Sequence, residues 1–402
     1  MLVKALEAQV LLQVVVVAVT RFITYFILFN LSILTGTAHA AVLPEDRVDI
    51  LYHNYDGGGI TIDGPSVLVR KSFADQVSVS ANYYVDNITS ASIDAILQAS
   101  EYTEKRVQNS VGVDYLNDKA TVSYSYTSSS ENDYEAITQS FGISQEMFGG
   151  LTTLSMGYTF GDNIVTKTGD ENFSDFAKFK NYRASIAQVL TKNLITSVNY
   201  DIITDEGFLN NPYRSVRVET SDTATFPLGY TYQLEKYPRT RTTNAISLGF
   251  RYYLPYRAAI FGSYRYFTDS WDIKADTYEL GYAHPLEEHW TFETSLRLYS
   301  QTQANFYQDL FPEGVTQNVY ARDKELSTFT DYSINLGVTY EFNSESLFFF
   351  ERGSANFFYT YFFFDYENFR DLRAEDPLVA AGTEPLYNFS AAVTRLYLSF
   401  WF

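Results

Sequence analysis

The chain has 402 residues, with 29 Lys and Arg against 48 Asp and Glu and a formal net charge of −19. That acidity argues against nucleic acid as a partner, because a phosphate backbone is gripped by a basic surface that displaces its counterions. A 46% hydrophobic content argues against disorder, and the absence of Cys excludes disulfides and acylation as a lipoprotein.

Residues 1–40 differ from the rest. They are strongly apolar, carry Lys4 and Arg21 as their only bases, and end in Ala38-His39-Ala40, a small-x-small cleavage pattern. A secretory signal peptide cut after Ala40 is the expectation, with Arg21 marking the working basic region and the residues before it an extension. An uncleaved anchor helix is the alternative, made costly by Arg21 inside the apolar run. The mature chain, 41–402, then reads as one domain.

After Ala40 no stretch offers the 18 consecutive apolar residues of a spanning helix. Alternation recurs instead. In chain order, "VSVSANYYVD" sets Val77, Val79, Ala81, Tyr83 and Val85 against Ser78, Ser80, Asn82, Tyr84 and Asp86. "LITSVNYDI" and "WTFETSLRLYS" repeat the pattern, and "SINLGVTYEF" holds a period of two over its whole length. About sixteen such segments begin near residues 47, 65, 76, 105, 119, 133, 150, 178, 193, 240, 256, 272, 289, 327, 354 and 386. Links after even-numbered segments are mostly tight, whereas many after odd-numbered ones are long and polar, as at 90–104, 161–177, 203–239, 301–326 and 366–385. Such segregation predicts a transmembrane antiparallel up-and-down β-barrel of about 16 strands (14–18), with short periplasmic turns and long extracellular loops. A soluble β-sandwich also alternates, but it has no reason to sort its loops by length. The 34 Tyr and 32 Phe cluster near strand ends, as interfacial girdles do.

Specific strings carry a resemblance. "LPEDRVDILYHNYDGGGITIDGPSVLVRKSF", "TDEGFLNNPYRSVR", "YPRTRTTNAISLGFRYYLPYRAA", "ARDKELSTF" and "LYLSFWF" resemble Gram-negative proteins grouped as domain-of-unknown-function family 3570, over nearly the whole mature chain. The resemblance implies an outer-membrane barrel and supplies no activity or site residues. The ending "TRLYLSFWF", with Leu398, Phe400 and Phe402 at alternate positions, also resembles the C-terminal signal read by the barrel-assembly machinery.

Candidate chemistry is sparse. His284 and His289 flank the turn "HPLEEH" without a metal-binding spacing, and His53 in "YHNYDGGG" has no matched nucleophile motif. No cofactor, metal site or catalytic residue is expected. Charges on the inward face are the better clue, since Arg at mid-depth in lipid costs about 2–4 kcal/mol. The alternation assigns Arg251, Arg257, Arg265, Arg297, Glu279 and Glu293 to the lumen, with Arg106, Asp114, Arg183, Asp201, Asn335, Glu341 and Arg395 around the wall. Segment 203–239, with Arg214, Arg217, Arg239 and Arg241, is expected either to fold into the mouth or to form an external contact loop, and segment 301–326 raises the same choice. The reading is a porin-like channel or export conduit in the bacterial outer membrane for a polar or anionic solute or polymer. A non-conducting accessory barrel braced by salt bridges is the alternative, and a rim-located hydrolase a further one.

Overall fold

The computed structural model describes residues 42–90, 102–343, 350–374 and 379–402; the expected signal segment lies outside them. Among the described residues eighteen strands are present, β1 (Arg47–Gly57), β2 (Ile60–Phe73), β3 (Val77–Ser90), β4 (Tyr102–Asn117), β5 (Ala120–Ser130), β6 (Tyr134–Met147), β7 (Thr152–Thr166), β8 (Ser174–Thr191), β9 (Leu194–Gly207), β10 (Ser215–Glu219), β11 (Tyr230–Leu234), β12 (Thr240–Tyr253), β13 (Ala259–Asp269), β14 (Lys274–Leu286), β15 (Trp290–Gln301), β16 (Phe329–Asn343), β17 (Arg352–Arg370) and β18 (Leu386–Trp401). Sixteen of them close an antiparallel up-and-down barrel, and β10 and β11 form a separate hairpin between β9 and β12. Closure is made by β1 against β18, from Arg47 opposite Trp401 to Gly57 opposite Ala391. The last strand is therefore the seam, and the barrel sheet is left with no open edge among the described residues.

The outer face is apolar. Leu248, Leu280, Leu296, Ile334, Leu336, Leu396 and Leu398 are among its exposed side chains. An apolar surface of this extent, far beyond what a soluble monomer shows, belongs in hydrocarbon, where a closed barrel also satisfies every ladder hydrogen bond. Among the described residues no helix is long and apolar enough to cross a membrane.

One end of the barrel carries tight turns. The turn between β2 and β3 places Ala74 and Asp75 at φ 51 and 56, and Asp118 and Glu287 take φ 54 and 56 in two others. At the opposite end, Gly58 and Gly59 (φ 61 and 79) make "DGGG" a two-residue hairpin turn, the primed geometry that glycine adopts at no steric cost, so this segment is a tight connection. Inside, aromatic rings lie on cross-strand glycines. Phe261 faces Gly281, Phe358 faces Gly337 and Phe179 faces Gly161. A Cβ on Gly281 would meet the Phe261 ring at 2.1 Å, so these glycines are seats for rings.

Candidate functional site

The lumen is built from the positions between the lipid-facing ones. On β5 to β7 and the middle of β4 most are small and polar, and their hydroxyls pair across strands, Ser110 with Thr127, Ser140 with Thr159 and Ser144 with Ser155, each at 2.9 Å. Around the rest of the wall the same face is charged. Arg183 contacts Asp201 at 2.7 Å, Arg297 contacts Asp331 at 2.6 Å, Arg241 contacts Asp269 at 2.5 Å and Arg70 contacts Asp114 at 2.8 Å. Glu279 stands opposite Arg297 across β14 and β15. Glu293 is within Coulombic reach of Arg251, Glu279 and Arg395, which come from β12, β14 and β18. Arg265 lies near Asp201, Arg183 and Arg297. Arg251 and Arg395 rest their guanidinium groups on the Phe261 and Phe358 rings at 5.1 and 5.5 Å. The Arg183 side chain, although inside the barrel, is 44% exposed, so part of the lumen is wide enough for water.

Eleven of the twelve charges assigned inward from the sequence thus sit on inward strand positions, and Arg257 does not. It lies in the turn between β12 and β13, at φ 68, where the Leu254 N–H bonds to the Ala258 carbonyl and closes a loop. Pro255 lacks an N–H and cannot extend the ladder, so the alternation that carries Arg251 inward stops before Arg257.

The other end of the lumen is spanned by folded loops. The insertion after β9 contains the β10–β11 hairpin, with Arg217 opposite Tyr232. It pairs with the β15–β16 loop through Val218 with Phe311 and Lys236 with Tyr320. Tyr237, Trp271, Ile273, Ala304, Phe306, Tyr307, Ala321 and Leu326 give this cap a core of its own, and Val216, Val218 and Phe311 form a second, smaller one. Arg217 is wholly buried, with its guanidinium 2.5 Å from Glu384 of the β17–β18 loop, against Asp309 of the β15–β16 loop, and over the Tyr230 ring. Arg322 adds a 3.1 Å contact to Asp309 and donates to the Arg370 carbonyl at 3.0 Å. Arg214 pairs with Asp323. On the far side, the Tyr213 hydroxyl accepts the Thr168 N–H of the β7–β8 loop at 2.7 Å. Of the two readings of segment 203–239, the structure therefore has it folded across the mouth. Arg239 is at the rim, 2.7 Å from Asp175, and Arg241 belongs to the wall.

The histidines are placed structurally. His53 is buried, its Nε2 2.8 Å from Asp86 and 3.1 Å from the Tyr84 hydroxyl, and its ring stacks on Tyr84; no serine hydroxyl is among its described partners. His284 Nδ1 meets the Tyr282 hydroxyl at 2.6 Å. Sequence reading missed a group formed at the loop end: Glu104 of β4 with Glu131 and Asp133 of the β5–β6 loop. Burial pushes the Glu131 carboxyl up to about 8 against the lowering pull of Arg106, and pushes the Asp133 carboxyl up to about 6. The strand alternation flags Glu104 as inward, but nothing in the spacing of 104, 131 and 133 announces that they meet.

A family model described as "Protein of unknown function (DUF3570)" matches residues 97–350, and the chain belongs to that family. The match stops short of β1 to β3 and of β17 and β18. No curated protein matches the sequence. Among solved structures, the chain is similar to a bacterial polysaccharide outer membrane secretin (8% identity, TM-score 0.47, 89% of this chain and 99% of that one). It is similar as well to a loop-deletion mutant of OmpT, an outer membrane protein of Vibrio cholerae (10%, 0.41, 89% and 99%). A third is the siderophore receptor PirA from Pseudomonas aeruginosa (10%, 0.43), of which the chain spans 60% while 82% of this chain is covered.

Proposed function

We propose that this member of the DUF3570 family is a conduit of the Gram-negative outer membrane for a polar, anion-bearing solute or polymer, with a mouth that the cap opens and closes. The observation that carries this reading is the lumen: a wall rich in small hydroxyl side chains on β4 to β7 faces arginines on β8 to β18, and the Arg183 side chain within it is 44% exposed. A barrel meant only as a brace would fill that space with side chains, as small barrels do. Export by a cleaved signal peptide and insertion by the barrel-assembly machinery through Leu398, Phe400 and Phe402 belong to the same proposal.

Conductance in planar bilayers tests it. Purified barrel should show infrequent openings with the cap intact and steady conductance once the cap is released. A protein that never conducts, in either form, would sink the conduit. In that case the ion pairs Arg183–Asp201 and Arg297–Asp331 would favour the second reading, a non-conducting barrel braced by its charge lattice.

A further inference from the structure

Glu104, Glu131 and Asp133 present one carboxylate oxygen each within 4.8 Å of one another. Glu104 and Asp133 are 5% and 1% exposed, and the Glu131 side chain is 5% exposed. Among the described residues few donors reach them. The Asn132 N–H donates to Glu104 at 3.0 Å. Arg106 Nε is 3.8 Å from Glu131, beyond hydrogen-bond range, and gives its own bonds to Ser129 and Gln108. Among the described residues, Glu104 Oε2, Glu131 Oε2 and both oxygens of Asp133 accept no hydrogen bond of normal geometry, although the Tyr213 hydroxyl stands beside Asp133. Among the described residues three buried carboxylates thus face one guanidinium, which is also 3.7 Å from Asp86. Buried charge left uncompensated costs several kcal/mol per ion, so this arrangement is relieved by protonation or by a further positive charge at its centre.

We propose that Glu104, Glu131 and Asp133 bind one divalent cation, Ca2+, at the loop end of the barrel. An all-carboxylate donor set selects a hard cation. Oxygens on opposite sides of a Ca2+ ion lie about 4.6–5.2 Å apart, twice its bond length, which the observed grouping accommodates. The ion would join the barrel wall, through β4, to the β5–β6 loop and to the neighbourhood of Tyr213, where the cap is rooted. This inference stands whether or not the lumen conducts.

The test uses the whole mature barrel, refolded in detergent free of lipopolysaccharide, whose phosphates would bind Ca2+ themselves. Tb3+ is titrated while tyrosine is excited, Tyr213 being the adjacent sensitiser, and Ca2+ is then added in competition; calorimetry with Ca2+ alone gives stoichiometry. One saturable site per chain is expected, displaced by Ca2+, lost in Asp133→Asn and in Glu131→Gln, and retained in Asp222→Asn on the exposed edge of the cap. Heat-modifiable gel mobility shows that each variant has folded. The proposal is overturned if wild-type protein shows no one-to-one binding by about 1 mM Ca2+, the weak end for extracellular sites. Wild-type affinity in both ligand variants would overturn it equally. The wild-type titration decides the matter even where a variant fails to fold.

Discussion

Replacing Arg217 by Met should release the cap. Arg217 is wholly buried between Asp309 and Glu384, and its guanidinium also stacks on Tyr230. Removing one member of a buried ion pair costs about 3–5 kcal/mol because the remaining charge is stranded. Here Asp309 keeps Arg322 and the Arg370 N–H, and Glu384 keeps the Gly382 N–H, which places the cost at the lower end. About 3 kcal/mol at roughly 1.4 kcal/mol per tenfold raises the undocked fraction by about two orders of magnitude. Two assays read it: open probability in planar bilayers, and the rate at which a protease cuts the exposed 221–226 stretch between β10 and β11. Adding Glu384→Gln to Arg217→Met removes the stranded charge and should restore most of the wild-type behaviour. If Arg217→Met leaves both open probability and cleavage rate unchanged, the ion pairs are not what holds the cap, and the reasoning fails.

Four other outcomes follow from the same geometry. Arg265→Glu reverses a lumen charge beside Asp201 and should move ion selectivity toward cations, read as a shift in reversal potential under a salt gradient; an unshifted potential would remove Arg265 from the permeation path. Leu280→Arg puts a charge on the lipid face and should cost about 2–4 kcal/mol in urea unfolding from lipid vesicles, less if that position lies near an interface. Gly281→Val drives a side chain into the Phe261 ring and should destabilise the barrel by about 1–3 kcal/mol, an effect that adding Phe261→Ala should relieve. Deleting Phe402 should lower the amount of barrel assembled in cells while leaving refolding in detergent intact; equal loss in both would mean that the residue matters to the fold and not to recognition.

How much of this was legible in the sequence depended on the range of the interactions. Strand alternation is local, so the sixteen segment starts fall close to the observed ones, the second being the largest miss because β2 already begins at Ile60, right after the Gly58–Gly59 turn. The inward register follows from the same local rule, and it failed at Arg257 where Pro255 ends the ladder. The cap was not legible beyond its aromatic and proline content. Val218 meets Phe311, and Arg217 meets Glu384, across more than 90 and 160 residues, and only closure of the barrel brings those loops together. Glu104, Glu131 and Asp133 were invisible for the same reason.

The cap's composition explains how loops of this length stay folded at all. Ordering each backbone residue costs about 1–2 kcal/mol, so two long loops over the mouth need apolar burial of their own. Tyr237, Trp271, Phe306, Tyr307 and Leu326 provide it, and they come from the insertion after β9 and from the β13–β14 and β15–β16 loops. Toward β17 and β18, by contrast, the ties are polar or cationic: Arg217 to Glu384, Tyr307 to the Asn368 carbonyl at 2.9 Å, and Lys324 over the Phe389 ring at 5.4 Å. Polar ties exchange readily for water, whereas a buried aromatic core does not. A cap that opens would therefore part from the β17–β18 side and stay attached on the β12–β15 side, so Arg217→Met should raise amide exchange in the 379–385 stretch more than around Trp271.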